Sequence, residues 1–376
     1  MKPVLFVSNG HGEIAIAARI ARYVGERSAI RCCHLALVGD ASHSDALHDV
    51  GPRRKMPSGG MVAMGNVANI ARDLAAGLGQ LTFAQWRFLA RNRSEYCAAV
   101  AVGDTFALFM ALRARIPVIF VGTAKSVYVA PYGRFEERLL RRAYAVFVRD
   151  DATVQRLEAH GIRAAAANVM ADLGVAVKPE RPGLKGDPLI ALFPGSRESA
   201  YANASFLLDV TLRVHALRPR VRAVLSVAAG LDPVRFAAEL RRNDARVMPG
   251  EDPLEPFSVC AGETEIVRAW SGEIGAVIDR AALVLGLAGT ANEAAAAAGV
   301  PVVAFEGGGW YRSRQAALLG GALRVLSRDA EAGARQIVAL LDNAEERATM
   351  ARTGRERLGA PGAAHRIAEA IVGLCA

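Results

Sequence analysis

Five short runs carry residue types that can do chemistry. Ser8-Asn9-Gly10-His11-Gly12-Glu13 sets two glycines and an imidazole directly after an apolar run and at the start of a helical one. Glycines let the backbone approach a ligand, a helix N-terminus favours an anionic or polar group, and an imidazole there can act as a base near neutral pH. The same run also fits a tight turn in which Asn9 or Ser8 caps the helix. Val102-Gly103-Asp104-Thr105 offers a carboxylate as general base, or as the N-cap of the helix that follows, and the two roles are compatible. Phe193-Pro194-Gly195-Ser196-Arg197 combines free amides, a hydroxyl and a guanidinium that suit a diphosphate, unless Arg197 is spent in a surface ion pair. Gly286-Leu287-Ala288-Gly289-Thr290-Ala291-Asn292-Glu293 lets a nucleotide come close to a helix start. There Glu293 either accepts from a ribose or simply complements the helix dipole. Glu306-Gly307-Gly308-Gly309-Trp310, with Arg312 and Gln315 beyond it, is either a pocket loop or a plain one. No G-x-G-x-x-G is present, so dinucleotide binding has no support.

Each run follows a short β-branched segment, which is what positions it. Val4–Ser8, Leu35–Val38, Ala98–Val102, Pro117–Val121 and Ala145–Val148 read as buried parallel strands, with helix-length segments such as Glu13–Val24, Asp104–Ala114 and Arg134–Arg142 between them. The rhythm pauses over Val175–Pro188, where three prolines and two glycines make a linker. It restarts with Leu189–Phe193, Ala223–Val227, Ala282–Leu287 and Pro301–Phe305. Two Rossmann-like, doubly wound α/β domains are expected, facing each other across a cleft lined by loops at the carboxyl ends of the strands. The expected division is 1–177, 188–355, and a C-terminal helix over 356–376 that packs back toward the first domain.

Composition removes several classes. At 376 residues the chain is too long for one ordinary core, and with 52% hydrophobic and 22% charged residues it is not disordered. Its longest apolar stretches are interrupted by Asp104 and by Asn292 and Glu293, so no spanning helix is expected. Too few apolar residues precede Ser8 for a secretory leader, so a cytoplasmic protein is expected. The five cysteines (Cys32, Cys33, Cys97, Cys260, Cys375) have no metal-ligand spacing and read as small buried hydrophobes in a reducing compartment. The histidines form no metal pattern either. The net charge of +9 alone suggests nucleic acid, but aromatic content is only 6% and no stacking platform appears, so no nucleic-acid partner is expected.

Taken together, the runs resemble the GT-B family of nucleotide-sugar glycosyltransferases, and within it the lipid-A-disaccharide synthase-related group. SNGHGE (Ser8–Glu13), VGD (Val102–Asp104) and FVGTAKS (Phe120–Ser126) look like that group's motifs, whereas NVMAD (Asn168–Asp172), PGSR (Pro194–Arg197) and AGTANE (Ala288–Glu293) have counterparts in the synthases too. The resemblance runs from about Val4 to about Gly321. It implies an acceptor-binding first half, a UDP-sugar-binding second half, and no metal or other cofactor. By analogy the Gly195-Ser196-Arg197 loop and the Gly289-Thr290 turn hold the diphosphate, Glu293 sits near the ribose, and Asp104 stands at the synthases' essential aspartate. The expected catalytic set is Asp104, His11 and Glu13, with either Asp104 or His11 as base. Asn9, Gly10, Gly12, Lys125, Asn292 and Gly308 complete the substrate-binding set. Three departures matter: the synthases' G-E-A-S-G-D is here S-N-G-H-G-E, Glu293 comes one residue early, and GTAKSVYVAPY (Gly122–Tyr132) replaces an aromatic acceptor-side segment.

The function implied is metal-independent, inverting transfer of a sugar, of the N-acetylhexosamine type, from a UDP-sugar to a lipid-linked or membrane-associated acceptor. The alternative is a UDP-N-acetylglucosamine 2-epimerase-like isomerase, because Gly103-Asp104-Thr105 also resembles a short epimerase motif; on that reading His11 serves as an acid–base residue. From Arg53 to Arg93 seven basic residues face one acid, Asp73, beside apolar Val67, Ile70, Leu74, Leu78, Leu81, Phe88 and Leu89. Such a segment either docks peripherally on an anionic membrane, at the inner face of the cytoplasmic membrane, or packs as an ordinary amphipathic helix. The Trp86–Arg93 end is the expected docking part, and Leu74 and Leu78 the packing part.

Overall fold

A computed structural model describes residues 1–39, 44–54, 56, 72–241, 245–307 and 309–376, with only the backbone of His11. The chain divides into two compact units, Met1–Val169 with Gly362–Ala376, and Met170–Pro361.

The first unit contains β1 (Val4–Asn9), α1 (Gly10–Arg27), β2 (Cys32–Val38), β3 (His48–Asp49), α2 (Leu78–Arg91), β4 (Ala99–Gly103), α3 (Thr105–Ala111), β5 (Val118–Gly122), α4 (Arg134–Leu140), β6 (Ala145–Val148), α5 (Asp151–Ala159) and β7 (Ala165–Ala166). Its seven strands lie in the order β3-β2-β1-β4-β5-β6-β7 and pair in parallel throughout. Strands β2, β4 and β5 are buried along their whole length and β1 up to Ser8, mostly with apolar residues, which suits a sheet covered on both faces.

The second unit follows α6 (Val169–Leu173), whose first residue ends unit one. It comprises β8 (Leu189–Phe193), α7 (Ala200–Leu217), β9 (Arg222–Ser226), α8 (Pro233–Arg241), β10 (Arg246–Pro249), β11 (Phe257–Ala261), β12 (Thr264–Trp270), α9 (Ile274–Ile278), β13 (Leu283–Gly286), α10 (Thr290–Ala298), β14 (Val302–Phe305), α11 (Trp310–Leu319), β15 (Leu323–Leu326), α12 (Ala330–Asp342) and α13 (Ala344–Leu358). The sheet order is β10-β11-β12-β9-β8-β13-β14-β15. β10, β11 and β12 form an antiparallel meander on one edge, and the remaining pairs are parallel. The sequence rhythm missed this meander. Its signal was a two-residue turn at Gly262, which has φ +59°, between two alternating segments.

The proline-rich stretch divides differently from the expectation. Residues 170–187 belong to the second unit, because the amides of Val177 and Lys178 donate to Glu273 and the Arg280 guanidinium donates to the carbonyls of Pro182 and Leu184. At the other end α14 (Ala363–Cys375) joins the first unit, with Ala363, Ala364, Ile367, Ala368 and Ile371 buried and Arg366 donating to the Ala166 carbonyl.

The cysteine expectation is corrected at the same place. Cys97, just before β4, and Cys375, at the end of α14, form a disulfide with Cα atoms 5.5 Å apart, whereas Cys32 and Cys33 are free and buried. Residues 278 apart cannot be matched by spacing, since only the fold brings them together. Closing so long a loop restricts the unfolded chain, so Cys375→Ser is expected to lower stability by about 2–4 kcal/mol. Urea unfolding checks this, and an unchanged midpoint would show that packing of α14 suffices.

Candidate active site

In the first sheet the strand order reverses between β1 and β4, and in the second between β8 and β13. Ligands of open α/β sheets bind outside the carboxyl ends of strands at such switch points. The runs singled out from the sequence lie there: Asn9 ends β1, Asp104 follows β4, Gly195–Arg197 follows β8 and Gly289–Thr290 follows β13.

Asn9 occupies the N-cap position of α1, yet its side chain makes no capping hydrogen bond, and neither does Ser8. Instead its Nδ2 donates to Asp104 Oδ1 at 3.4 Å, and its Oδ1 is buried without a partner. The first turn of α1, which carries the amides of Gly10 and Gly12, thus has no cap from Asn9. Asp104 caps α3 through the same Oδ1, which accepts from the amides of Phe106 at 3.0 Å and Ala107 at 3.1 Å. Capping and base roles therefore fall on different oxygens, because Oδ2 takes none of these bonds. Burial pushes the Asp104 carboxyl above its ordinary range, the two amides pull it partly back, and the Glu136 charge adds to the rise. Such a carboxylate accepts a proton more readily near neutral pH.

Glu13 lies over the end of β4, its Cγ 3.3 Å from where a Cβ on Gly103 would stand. With φ +132°, position 103 needs glycine on both counts. His11 falls in the first turn of α1, and its side chain lies outside the described residues. Lys125, expected at the substrate, has its ammonium on Glu136 Oε2 at 2.5 Å and on the Pro131 carbonyl at 3.4 Å. Glu136 also accepts from Thr105 Oγ1 at 2.8 Å and from the Gly133 amide at 2.8 Å. Burial pushes its carboxyl up, but the Gly133 amide, Lys125 and Thr105 together hold it below the usual range. Glu136 thus ties the Thr105 end of α3 to the Lys125 loop, a part no motif announced.

A second group went unseen in the sequence. Ser8 Oγ lies 2.8 Å from His34 Nε2, and His34 Nδ1 lies 3.0 Å from Asp49 Oδ1, which pairs on its other oxygen with Arg53 at 2.9 Å. The Asp49 carboxylate fixes the proton on Nδ1, so Nε2 accepts from Ser8. Burial lowers the His34 pKa despite Asp49, and both Ser8 and His34 are fully buried. The geometry is that of a hydrolytic triad, but an enclosed hydroxyl reaches no substrate. The chain instead fastens the last turn of β1 across β2 and β3, one residue before Asn9.

In the second unit, Asn203 donates to the Pro194 carbonyl at 2.9 Å and steadies the loop after β8. Gly195 has φ +118° with open space where a Cβ would stand, Ser196 is half-buried, and Arg197 is exposed. Arg197 makes no ion pair among the described residues. The neighbouring Glu198 pairs with Arg235 instead, so the surface ion pair weighed for Arg197 does not form.

Gly289 opens α10 without a side-chain cap. Asn292, expected at the substrate, is fully buried: its Nδ2 donates to the Gly286 carbonyl at 3.0 Å and to Gln315 Oε1 at 3.3 Å. Gln315 Nε2 in turn donates to the carbonyls of Ala288 at 3.0 Å and Gly289 at 3.3 Å. These side chains hold the loop carbonyls, and Asn292, fully enclosed, positions the loop in place of contacting a ligand. Glu293, in the first turn of α10, is half-buried. Gly307 and Gly309 have positive φ after β14, and Gly308 lies outside the described residues.

The basic segment departs from the expectation in part: Leu78 packs against the Val38, Met56 and Leu81 cluster as expected, but Leu74 and the Trp86–Arg93 end do not divide as expected. In α2, Leu81, Gln85 and Leu89 are buried at helical spacing, Phe88 packs on the core, and the Arg113 guanidinium lies 3.6 Å from the Trp86 ring centre. Exposure falls instead on Leu74 at 57% and Phe83 at 57%, with Arg87 over the Phe83 ring, and on Phe106 and Phe109 of α3. Residues 57–71, including Val67 and Ile70, lie outside the described residues.

Two Rossmann-like units of this topology define a protein of the GT-B fold class. Solved structures of similar fold include a UDP-GlcNAc 2-epimerase of Neisseria meningitidis bound to UDP-GlcNAc (13% identity, 99% of this chain and 100% of that one, TM-score 0.58). Others are MurG of Acinetobacter baumannii (15% identity, 99% of each chain, TM-score 0.54) and the glycosyltransferase SnogD of Streptomyces nogalater (17% identity, 100% of each chain, TM-score 0.55). At these identities the likeness is one of fold. The sequence model of the polysaccharide pyruvyl transferase family matches residues 59–257, just over half of the chain, and the chain belongs to that family. No curated protein matches it in sequence.

Proposed function

We propose that this chain is an inverting, metal-independent glycosyltransferase that moves a sugar of the N-acetylhexosamine type from a UDP-sugar to a hydroxyl of a lipid-linked acceptor. The observation that carries the reading is Asp104: a carboxylate at a switch point, held in place through one oxygen and made basic by burial. The first unit supplies this base, with His11 as the second candidate and Glu13 beside it, and the second unit holds the donor. Asp104 Oδ2 takes the acceptor proton as the acceptor oxygen attacks the anomeric carbon from the face opposite the leaving group. The bond from that carbon to the β-phosphate oxygen breaks, and its electron pair leaves with UDP. Arg197, the Gly195–Ser196 turn and the α10 start at Gly289–Thr290 stabilise the departing charge, with Glu293 toward the ribose. The lipid-A-disaccharide synthase-like motifs support this assignment, as does the UDP-GlcNAc held by a protein of the same fold.

Exposed Leu74, Phe83, Phe106 and Phe109 with Arg87 support an acceptor presented at an anionic membrane, at the cytoplasmic face. Among the described residues no helix is long and apolar enough to cross one. Co-sedimentation with vesicles containing anionic phospholipid is expected for the wild type and reduced in Phe83→Ser. Equal sedimentation would remove Phe83 from that surface.

Membership of the pyruvyl transferase family favours a second reading, transfer of a pyruvyl group onto a saccharide. Incubation of the chain with labelled UDP-N-acetylglucosamine and a lipid extract separates the two. UDP release matched by a new glycosidic product is the expected result. UDP release without product would contradict transfer, and solvent deuterium at C2 of the sugar without any acceptor would mark an epimerase. A saccharide pyruvylated from an enolpyruvyl phosphate would establish the second reading.

A further inference from the structure

Arg312 of α11 is only 9% exposed and forms no ion pair among the described residues. One guanidinium NH₂ donates to Gln315 Oε1, an oxygen already shared with Asn292, while its Nε is buried without a partner. A buried cation is normally paired, and an amide oxygen with two donors does not neutralise it. Its surroundings make the imbalance worse. The charge it feels most besides the Tyr311 hydroxyl is a second cation, Arg328, and burial together with Arg328 pulls the Arg312 pKa below its ordinary value. Arg328 lies over the Phe206 ring at 4.7 Å, and one of its terminal nitrogens is 3.5 Å from the Cβ position of Gly307.

The place is equally specific. Gln315, which receives Arg312, bonds the carbonyls of Ala288 and Gly289, and the Tyr311 hydroxyl stands where a Cβ on Gly289 would be. The guanidinium is therefore one side chain away from the uncapped start of α10.

We propose that Arg312, with Arg328 beside it, is the built anion site of the second unit and takes the phosphoryl oxygens of a phosphorylated donor. Arg312 supplies the desolvated charge, Arg328 the exposed one, and the α10 amides complete the cradle. This rests on the second unit being the donor-binding half. The shared chemistry is a phosphoryl dianion, whether it belongs to a nucleoside diphosphate or to a small enol phosphate.

The test is calorimetric titration of the full chain with UDP, inorganic pyrophosphate, phosphoenolpyruvate and uridine, together with melting curves, for wild type, Arg312→Met, Arg312→Lys and Arg197→Ala. Arg312→Met is expected to weaken the phosphorylated ligand about 10- to 100-fold and to leave any uridine affinity unchanged. It is also expected to melt at or above the wild-type temperature without ligand, because the unpaired charge is gone. Arg312→Lys should lie between. A lower melting temperature with unchanged affinity would make Arg312 a packing residue and overturn the inference, and if Arg312→Met does not fold, unchanged affinity in Arg312→Lys does the same. Weakening by Arg197→Ala but not by the Arg312 variants sinks this inference and spares the donor reading. Phosphoenolpyruvate or pyrophosphate binding without UDP, lost in Arg312→Met, does the reverse. No binding of any phosphorylated ligand overturns both.

Discussion

Replacement of Asp104 by Asn is expected to lower turnover about 10²- to 10⁴-fold, the range a positioned general base contributes. The asparagine keeps an oxygen that can cap α3 and accept from Asn9, so the loss is one of basicity and not of structure. Stability gives an independent sign. The folded-state pKa of Asp104 is raised, so the native state binds this proton more tightly than the unfolded chain does, and stability falls as pH rises from the unfolded value through the folded one. At neutral pH the ionised carboxylate therefore opposes folding, and Asp104→Asn is expected to melt at the same or a higher temperature. Activity has the opposite dependence: it falls in acid as Asp104 is protonated, with a midpoint above the ordinary carboxylate value. Glu136→Gln removes a neighbouring negative charge that raises the Asp104 carboxyl, which moves that midpoint to lower pH. Full turnover in Asp104→Asn, with loss in His11→Ala, would transfer the base to His11.

Gly286→Ala is expected to destabilise the second unit by about 3 kcal/mol, combining overpacking with a broken buried hydrogen bond. The new methyl would stand 1.8 Å from Asn292 Oδ1, and the site is fully enclosed. Asn292 would have to leave the Gly286 carbonyl and Gln315, which releases the loop carrying Gly289 and Thr290. The effect is specific to the pair, so Asn292→Ala in the same chain should restore much of the stability by making room. Denaturant midpoints of the two single variants and the double variant check this. Additive losses would show that the methyl clashes with something other than Asn292.

Strand positions were legible because buried parallel strands are unbroken apolar runs. Ala145–Val148 and Leu189–Phe193 have the expected bounds, and the others differ by one residue at one or both ends, except that β2 begins at Cys32, three residues before the expected Leu35. The loops after those strands could be found from glycines and from residue type, and the fold brings Asn9, Glu13 and Asp104 together as adjacent strand ends require. What a side chain does inside its run was less legible. Asn292 and Lys125 have residue types that suit a ligand, yet one is enclosed by a loop carbonyl and the other is bound by a glutamate eleven residues away. The Ser8–His34–Asp49 chain depends on the pairing of three strands, and the Cys97–Cys375 link on a helix returning to the first unit. Spacing along the sequence carries no trace of either. The exposed face of α2 was misjudged for a related reason: an amphipathic pattern gives the apolar residues but not which of them a neighbouring element covers, as the core covers Phe88 and leaves Phe83 bare.

The central claim is that the second unit holds a UDP-sugar through the loops after β8 and β13, and calorimetric titration tests it most directly. UDP, UDP-N-acetylglucosamine, UDP-glucose, GDP and TDP are titrated into the wild-type chain and into Arg197→Ala. Selective binding of the uridine nucleotides, weakened about 10- to 100-fold when the guanidinium is removed, is the expected result. Absence of binding by every nucleotide would make these loops structural turns and contradict the account.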